Sequence, residues 1–388
     1  MPVTVPFANY QNDIYLRGLG GERPEIPTNL DRLEPLAAER LAPGPFGYVA
    51  GGAGTEATVR ANRDAFDRWR LVPRVLRDVA VRELSRNVLG TPLAAPILLG
   101  PVGVQSILHP DGELATARAA AEVGIPMVLS TASSRTLEDV AAALGDTPRW
   151  FQLYWPKQRE VTLSLLARAG AAGYQVLLVT LDTRLLAWRP RDLDLAYLPF
   201  LQSEGIANYL SDPAFRAGLA KSPEEDPGAA VLHFLAMFND PTTSWSDLAF
   251  LRDHWSGPIV LKGVLHPDDA RQALDVGMDG VVVSNHGGRQ VDGAVGSLDA
   301  LPAVVDAVAG RAAVLLDSGV RSGADVIKAL ALGADAVLIG RPYAYGLALA
   351  GEAGVAHVIR SLLADLDLTL ALCGCAGIAE LDRGILTG

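Results

Sequence analysis

Cysteine is nearly missing: the 388 residues hold two, Cys373 and Cys375, close to the C-terminal end. A single intervening residue would strain a disulfide, a pair of thiols cannot complete a zinc site, and no further cysteine offers another pairing. Both read as spectator thiols, so no metal site is expected and a reducing, cytoplasmic compartment is. Long apolar runs are missing too. No stretch approaches the ~20 uninterrupted apolar residues of a membrane span. The opening MPVTVPFANYQNDIYLRG has neither a basic start nor an apolar run, so neither an anchor nor a secretory signal is expected. Positive charge is in deficit, with 33 Lys plus Arg against 44 Asp plus Glu, a formal net charge of −11. That balance argues against a nucleic-acid partner, whose phosphates need clustered cations. It leaves room for a small anionic ligand held by a local group of Arg or Lys. Finally, no G-x-G-x-x-G follows the first apolar run, which disfavours a Rossmann dinucleotide site.

What is present is ample apolar material, 49% of residues against 20% charged, enough for a large core and wrong for a disordered chain. It is distributed as short runs: PILLG (Pro96–Gly100), PMVLS (Pro126–Ser130), WFQLY (Trp150–Tyr154), VLLVTLD (Val176–Asp182), PIVLKG (Pro258–Gly263), GVVVSN (Gly280–Asn285), AVLLD (Ala313–Asp317) and DAVLIG (Asp335–Gly340). Each is too short for a helix and apolar on both faces, the pattern of parallel strands covered by helices. The stretches between them suit helices, as in GELATARAAAEVG and SGADVIKALALG, where Gly sits at the expected stop. Eight such repeats predict a (β/α)8 barrel rather than an open sheet. Residues 96–388 form that barrel, and residues 1–95 form an N-terminal helical segment packing on it. Residues 183–257, between the fourth and fifth strands, are far longer than an ordinary βα loop. Their position on the C-terminal face suggests a lid.

Polar residues at strand C-termini are what a barrel active site requires. Here they are Gln152 and Tyr154, Thr180 and Asp182, Lys262, then Ser284, Asn285 and His286, and Asp317. His286 follows an apolar strand, with Gly287 and Gly288 allowing close backbone approach and Arg289 beside it. Its titration range suits a general base, and Asp182 is the natural carboxylate partner. The other histidines, His109, His233, His254, His266 and His357, read as structural. After the seventh and eighth strands, LLDSGVRSGADV and IGRP present Ser318, Gly319 and Gly323 with Arg321 and Arg341, which fits the usual phosphate site of this fold. One phosphate implies a mononucleotide or sugar phosphate. A lysine on the fifth strand and neutral hydrogen-bonding groups at Ser130, Gln152 and Thr180 suit an electron-accepting heterocycle, and flavin mononucleotide (FMN) meets all these demands.

At these residues the chain resembles the FMN-dependent α-hydroxy-acid oxidase family, from about Tyr48 to the last helix. SNHGGRQ, LDSGVRSGADV and IGRP carry the resemblance; FQLYWP, TLDT, WRPRDL and NHGGRQVDG point, within the family, to lactate 2-monooxygenase. The resemblance implies that His286 is the base, with Asp182 supporting its protonated form. It implies that Arg189 and Arg289 clamp a substrate carboxylate with Tyr48, and that Tyr154 contacts the substrate hydroxyl or carbonyl. Lys262 would stabilise the reduced flavin, and Pro101, Val102 and Gly103 would face its N5. Ser130, Gln152, Thr180 and Ser284 would line the ring and ribityl chain, and Asp317, Ser318, Gly319, Arg321, Gly340 and Arg341 the ribityl and phosphate. For Arg189 the residues leave a loop salt bridge with Asp192 or Asp194 as the alternative, and for Tyr48 simple packing.

The implied activity is oxidation of an (S)-2-hydroxy acid, with L-lactate the leading substrate and O2 the acceptor, as a monooxygenase giving acetate, CO2 and water. The alternative is an oxidase releasing the 2-oxo acid and H2O2, and a flavin-dependent isomerase is the reading from another class. A homo-oligomer, tetrameric or larger, is implied as well. Two departures stand out. Ala132 occupies a position where plant-type members carry Trp, opening space at the substrate's tail, and PVG replaces PTA in the turn after the first strand.

Overall fold

Strands apolar on both faces must be covered on both, and the structure, a computed structural model that describes residues 6–238 and 240–388, covers them by closing a barrel. Its strands are β1 (Ile97–Leu99), β2 (Met127–Ser130), β3 (Arg149–Leu153), β4 (Val176–Thr180), β5 (Ile259–Val264), β6 (Gly280–Val283), β7 (Ala313–Leu316) and β8 (Ala336–Ile339). All pair in parallel and in chain order, and β8 returns to β1 with Val337 opposite Ile97 and Ile339 opposite Leu99. Each of the eight apolar runs coincides with one of these strands, β3 starting one residue before its run and β5 ending one residue after its own.

The two-residue strand period sorts the side chains. Leu98, Val128, Trp150, Leu178, Val260, Val282, Leu315 and Leu338 fill the barrel interior, while neighbours such as Leu99, Leu129, Phe151, Val179 and Val283 face the helical layer. The N-terminal end of the barrel is plugged by an antiparallel hairpin, Arg86–Val88 with Thr91–Leu93. Val88 and Leu93 join the interior cluster, and the buried Trp150 indole donates to Thr91 Oγ1 at 2.9 Å. Residues 1–95 are therefore not purely helical. Their helices include Leu33–Arg40, Pro43–Ala50 and Ala57–Arg68. Asn62, on the last of these, exchanges side-chain hydrogen bonds of 2.9 and 2.7 Å with Asn285, which ties the segment to the rim after β6.

The long connection from β4 to β5 is built of short helices, among them Pro190–Asp194, Ala207–Leu210 and Pro227–Met237. It carries its own aromatic core. Phe200, Tyr209, Phe215, Phe234 and Phe238 are all buried, with ring centroids 4.8 to 5.8 Å apart. Asn208 fastens it to the barrel, donating to Thr131 O at 3.1 Å and accepting from Leu137 N at 2.8 Å. Among the described residues no helix is long and apolar enough to cross a membrane.

Candidate active site

Strand ends converge at the C-terminal mouth of a barrel, and here they surround a cleft. His286 follows β6 in a left-handed conformation, φ 59°, that a residue other than glycine adopts only when its surroundings enforce it. Ser284 Oγ accepts its N–H at 3.0 Å, and its side chain meets Asp182, Nδ1 to Oδ1 2.7 Å. Thr183 Oγ1 lies 3.1 Å from that oxygen and 3.2 Å from Nδ1. The carboxylate fits because β5 bulges at Gly263, with φ +102°; a Cβ there would lie 2.6 Å from Asp182 Cβ. Burial pushes the Asp182 carboxyl up, but the facing His286 and Lys262 charges pull it down to about 2, so it is ionised. Burial lowers the His286 imidazole below its ordinary value, opposed by Asp182 and reinforced by Lys262 and Arg189. The pair is a neutral base backed by an anion. On the other ring edge, Tyr154 OH lies 3.5 Å from Nε2, and burial raises that phenol to about 12, keeping it protonated.

Arg189 and Arg289 lie on the same wall. Arg189 is 5% exposed; its Nε donates to Arg289 O at 3.0 Å and its Nη2 to Gln290 Oε1 at 2.5 Å. Arg289 donates to the carbonyls of Tyr48 and Gly51 and stacks over the Tyr48 ring, 5.1 Å from its centroid. Neither guanidinium is ion-paired among the described residues, so the loop salt bridge from Arg189 to Asp192 or Asp194 is not made. Burial, then repulsion from Arg289, lowers Arg189 to about 10, still charged at neutral pH. Two charges held by neutral partners in one cleft suit an anionic carboxylate.

A second group of cations in the cleft suits a phosphate, and it adjoins the first: Arg341 and Arg289 both donate to Gly51 O. Arg321 and Arg341 line the cleft with Ser318, Gly319 and Gly340, and both guanidiniums are met by backbone carbonyls instead of carboxylates. Burial lowers both, Arg341 to about 10. Also on the cleft, Lys262 Nζ donates to Ser284 Oγ at 3.0 Å and pairs with Asp317 at 3.1 Å. Burial lowers this ammonium, but Asp317 and Asp182 more than offset that and leave it above its usual value. Pro101, Val102 and Gly103 form the facing wall, with Ala132 beside them.

Not every residue expected at the site reaches the cleft surface. Ser130, Gln152, Thr180 and Ser284 lie buried behind it, where the first three form a chain: Ser130 Oγ to Gln152 Oε1 and Gln152 Nε2 to Thr180 Oγ1, each 2.9 Å. Adjacent strands in register place Ser130 opposite Gln152, which is why these two groups satisfy one another. Asp317 divides its carboxylate between Lys262 and the Ser318 hydroxyl. The sequence reading missed Thr183 and Gln290, whose signal was adjacency to Asp182 and Arg289. It also missed the apolar wall of Leu186, Phe200 and Phe238, for which no local signal exists.

This arrangement matches known proteins over nearly its whole length. The profile of FMN-dependent dehydrogenases matches residues 37–388. An FMN-dependent alpha-hydroxy acid dehydrogenase of Penicillium citrinum is 50% identical, covering 98% of this chain and 95% of its own. An L-lactate oxidase of Lysinibacillus sphaericus is 44% identical, covering 95% of each. The crystal structure of a mandelate oxidase with (S)-4-hydroxymandelic acid superposes with a TM-score of 0.82 at 39% identity, covering 93% of this chain and 98% of that one. With a cleft whose unpaired arginines suit a phosphate and whose rim suits a flavin, the chain belongs to the FMN-dependent dehydrogenase family and uses FMN as its cofactor.

Proposed function

We propose that the protein oxidises an (S)-2-hydroxy acid and passes the electrons to O2, with L-lactate the leading substrate and acetate, CO2 and water the products. The observation that carries the substrate class is the pair of Arg189, buried, and Arg289, half-buried, neither with a carboxylate partner among the described residues, in the cleft that holds His286. A substrate carboxylate between them would be oriented by paired hydrogen bonds. FMN supplies the two-electron acceptor. The work of the chain is to position and to move a proton. His286 Nε2 takes the proton released as the hydroxy acid becomes a 2-oxo acid, and Asp182 stabilises the imidazolium through Nδ1. Tyr154, held protonated, donates toward the substrate oxygen beside Nε2. Lys262 places fixed positive charge beneath the site as negative charge accumulates there.

The decarboxylating outcome depends on retention. If the 2-oxo acid stays with the peroxide formed from O2, lactate plus O2 becomes acetate, CO2 and water; if it leaves first, the products are pyruvate and H2O2. Phe200 and Phe238 support retention, since these two wall residues are anchored in the aromatic core of the connection after β4. The second reading, a simple oxidase, is favoured by the L-lactate oxidase similarity. A product balance in air with L-lactate separates them. Acetate without free peroxide supports the monooxygenase; equal pyruvate and peroxide contradict it and establish the oxidase.

A further inference from the structure

The connection after β4 also reaches the opposite wall of the cleft. Glu204 accepts a hydrogen bond from the Ser106 hydroxyl, and Ser106 Oγ lies 2.7 Å from Ser134 Oγ. Ser106 stands just beyond the Gly100–Gly103 turn in the loop after β1, and Ser134 just beyond Ala132 in the loop after β2. Both the turn and Ala132 line the cleft. These two loops are already bound to each other. The buried Glu113 accepts the backbone N–H of Gln105 and of Ser134 at one oxygen, each at 3.0 Å, and Val104 N donates to Ala132 O at 2.8 Å. Glu204 adds something different. Among the described residues, its bond to Ser106 is the only hydrogen bond from the β4–β5 connection to the loop after β1. The backbone beside it is in tight contact as well: a Cβ on Gly205 would fall 2.5 Å from Val104 Cγ2.

We propose that Ser106 and Glu204 are a positioning pair, through which the β4–β5 connection holds the Gly100–Gly103 turn and so sets the reactivity of the bound flavin. A charge-assisted hydrogen bond between two half-buried groups is strong enough to fix a turn that glycine leaves compliant. Neither residue touches the cleft, so the pair acts through the turn and not on substrate. The proposal rests on the FMN family assignment and not on the choice of substrate.

Sulfite, which adds to oxidised flavin and bleaches it, reads this reactivity without any hydroxy acid. Holoenzyme variants Ser106→Ala, Glu204→Ala, the double substitution and Glu204→Gln are titrated with sulfite, alongside FMN content and the thermal midpoint. Loss of one charge-assisted bond should weaken sulfite binding about tenfold in each alanine variant. FMN content and midpoint should stay at the wild-type level. Because the two residues act as one link, the double variant should be no weaker than either single, and Glu204→Gln, which keeps an acceptor, should stay within about twofold of wild type. Wild-type sulfite affinity in both single variants, or additive losses in the double, would overturn the proposal. Should Ser106→Ala not fold, Glu204→Ala against Glu204→Gln makes the same test.

Discussion

His286 and Asp182 are 104 positions apart in the chain and 2.7 Å apart in space, Nδ1 to Oδ1, beside a β5 bulge at Gly263 where a Cβ would lie 2.6 Å from Asp182 Cβ. The carboxylate holds the proton on Nδ1 and leaves Nε2 free toward the cleft. His286→Gln should therefore keep FMN bound and lower the rate of flavin reduction by substrate by about 10²–10⁴. Anaerobic stopped-flow absorbance checks this.

The pH profile follows from the direction of the His286 shift. The base works when neutral, so activity rises as pH increases through its pKa, and burial has moved that pKa below the ordinary imidazole value. The acid limb of kcat/KM should lie below about pH 6.5. Asp182 raises the imidazole's proton affinity, so Asp182→Asn should move the limb further down while lowering the plateau. A limb that moves upward in that variant contradicts the assignment.

For the carboxylate receptor, Arg189→Met and Arg289→Met should each raise KM about 10- to 100-fold, the loss of a charged hydrogen-bonding group. Arg189→Lys should rescue little, because a point charge cannot reproduce a planar fork already donating to Arg289 O and Gln290. Steady-state kinetics with L-lactate check both.

At the phosphate site, Arg341→Met combined with Arg321→Met should weaken FMN retention while leaving the fold intact. The ratio of flavin to protein absorbance after gel filtration should fall, and riboflavin, which has no phosphate, should bind wild type and variant alike. Equal FMN retention would remove these arginines from the phosphate site.

Much of this is legible in the amino-acid sequence. The strands showed because a parallel barrel buries both faces of every strand, and continuous apolar runs such as VLLV record that burial directly. The rim showed because strand ends are fixed points, so His286, Asp182 and Lys262 could be placed by counting from the runs. The plug at Arg86–Leu93 did not show, because its strands are three residues long and carry Arg, Asn and Pro. Nor did the Lys262–Asp317 pair, since the two lie 55 positions apart and only barrel closure brings them together. Phe200, Phe238 and the Ser106–Glu204 link lie where contacts join distant residues, and no period marks such partners.

The central claim is that a half-buried imidazole–carboxylate pair and a carboxylate receptor serve one bound flavin. Its most direct test is an anaerobic titration of the yellow holoenzyme with L-lactate and larger (S)-2-hydroxy acids, followed by admission of air. The account predicts full loss of the oxidised-flavin absorbance with at least one of them, its return with O2, and no loss in His286→Gln on the same timescale. A holoenzyme that stays oxidised with every 2-hydroxy acid, or a His286→Gln variant that bleaches as fast as wild type, would contradict it.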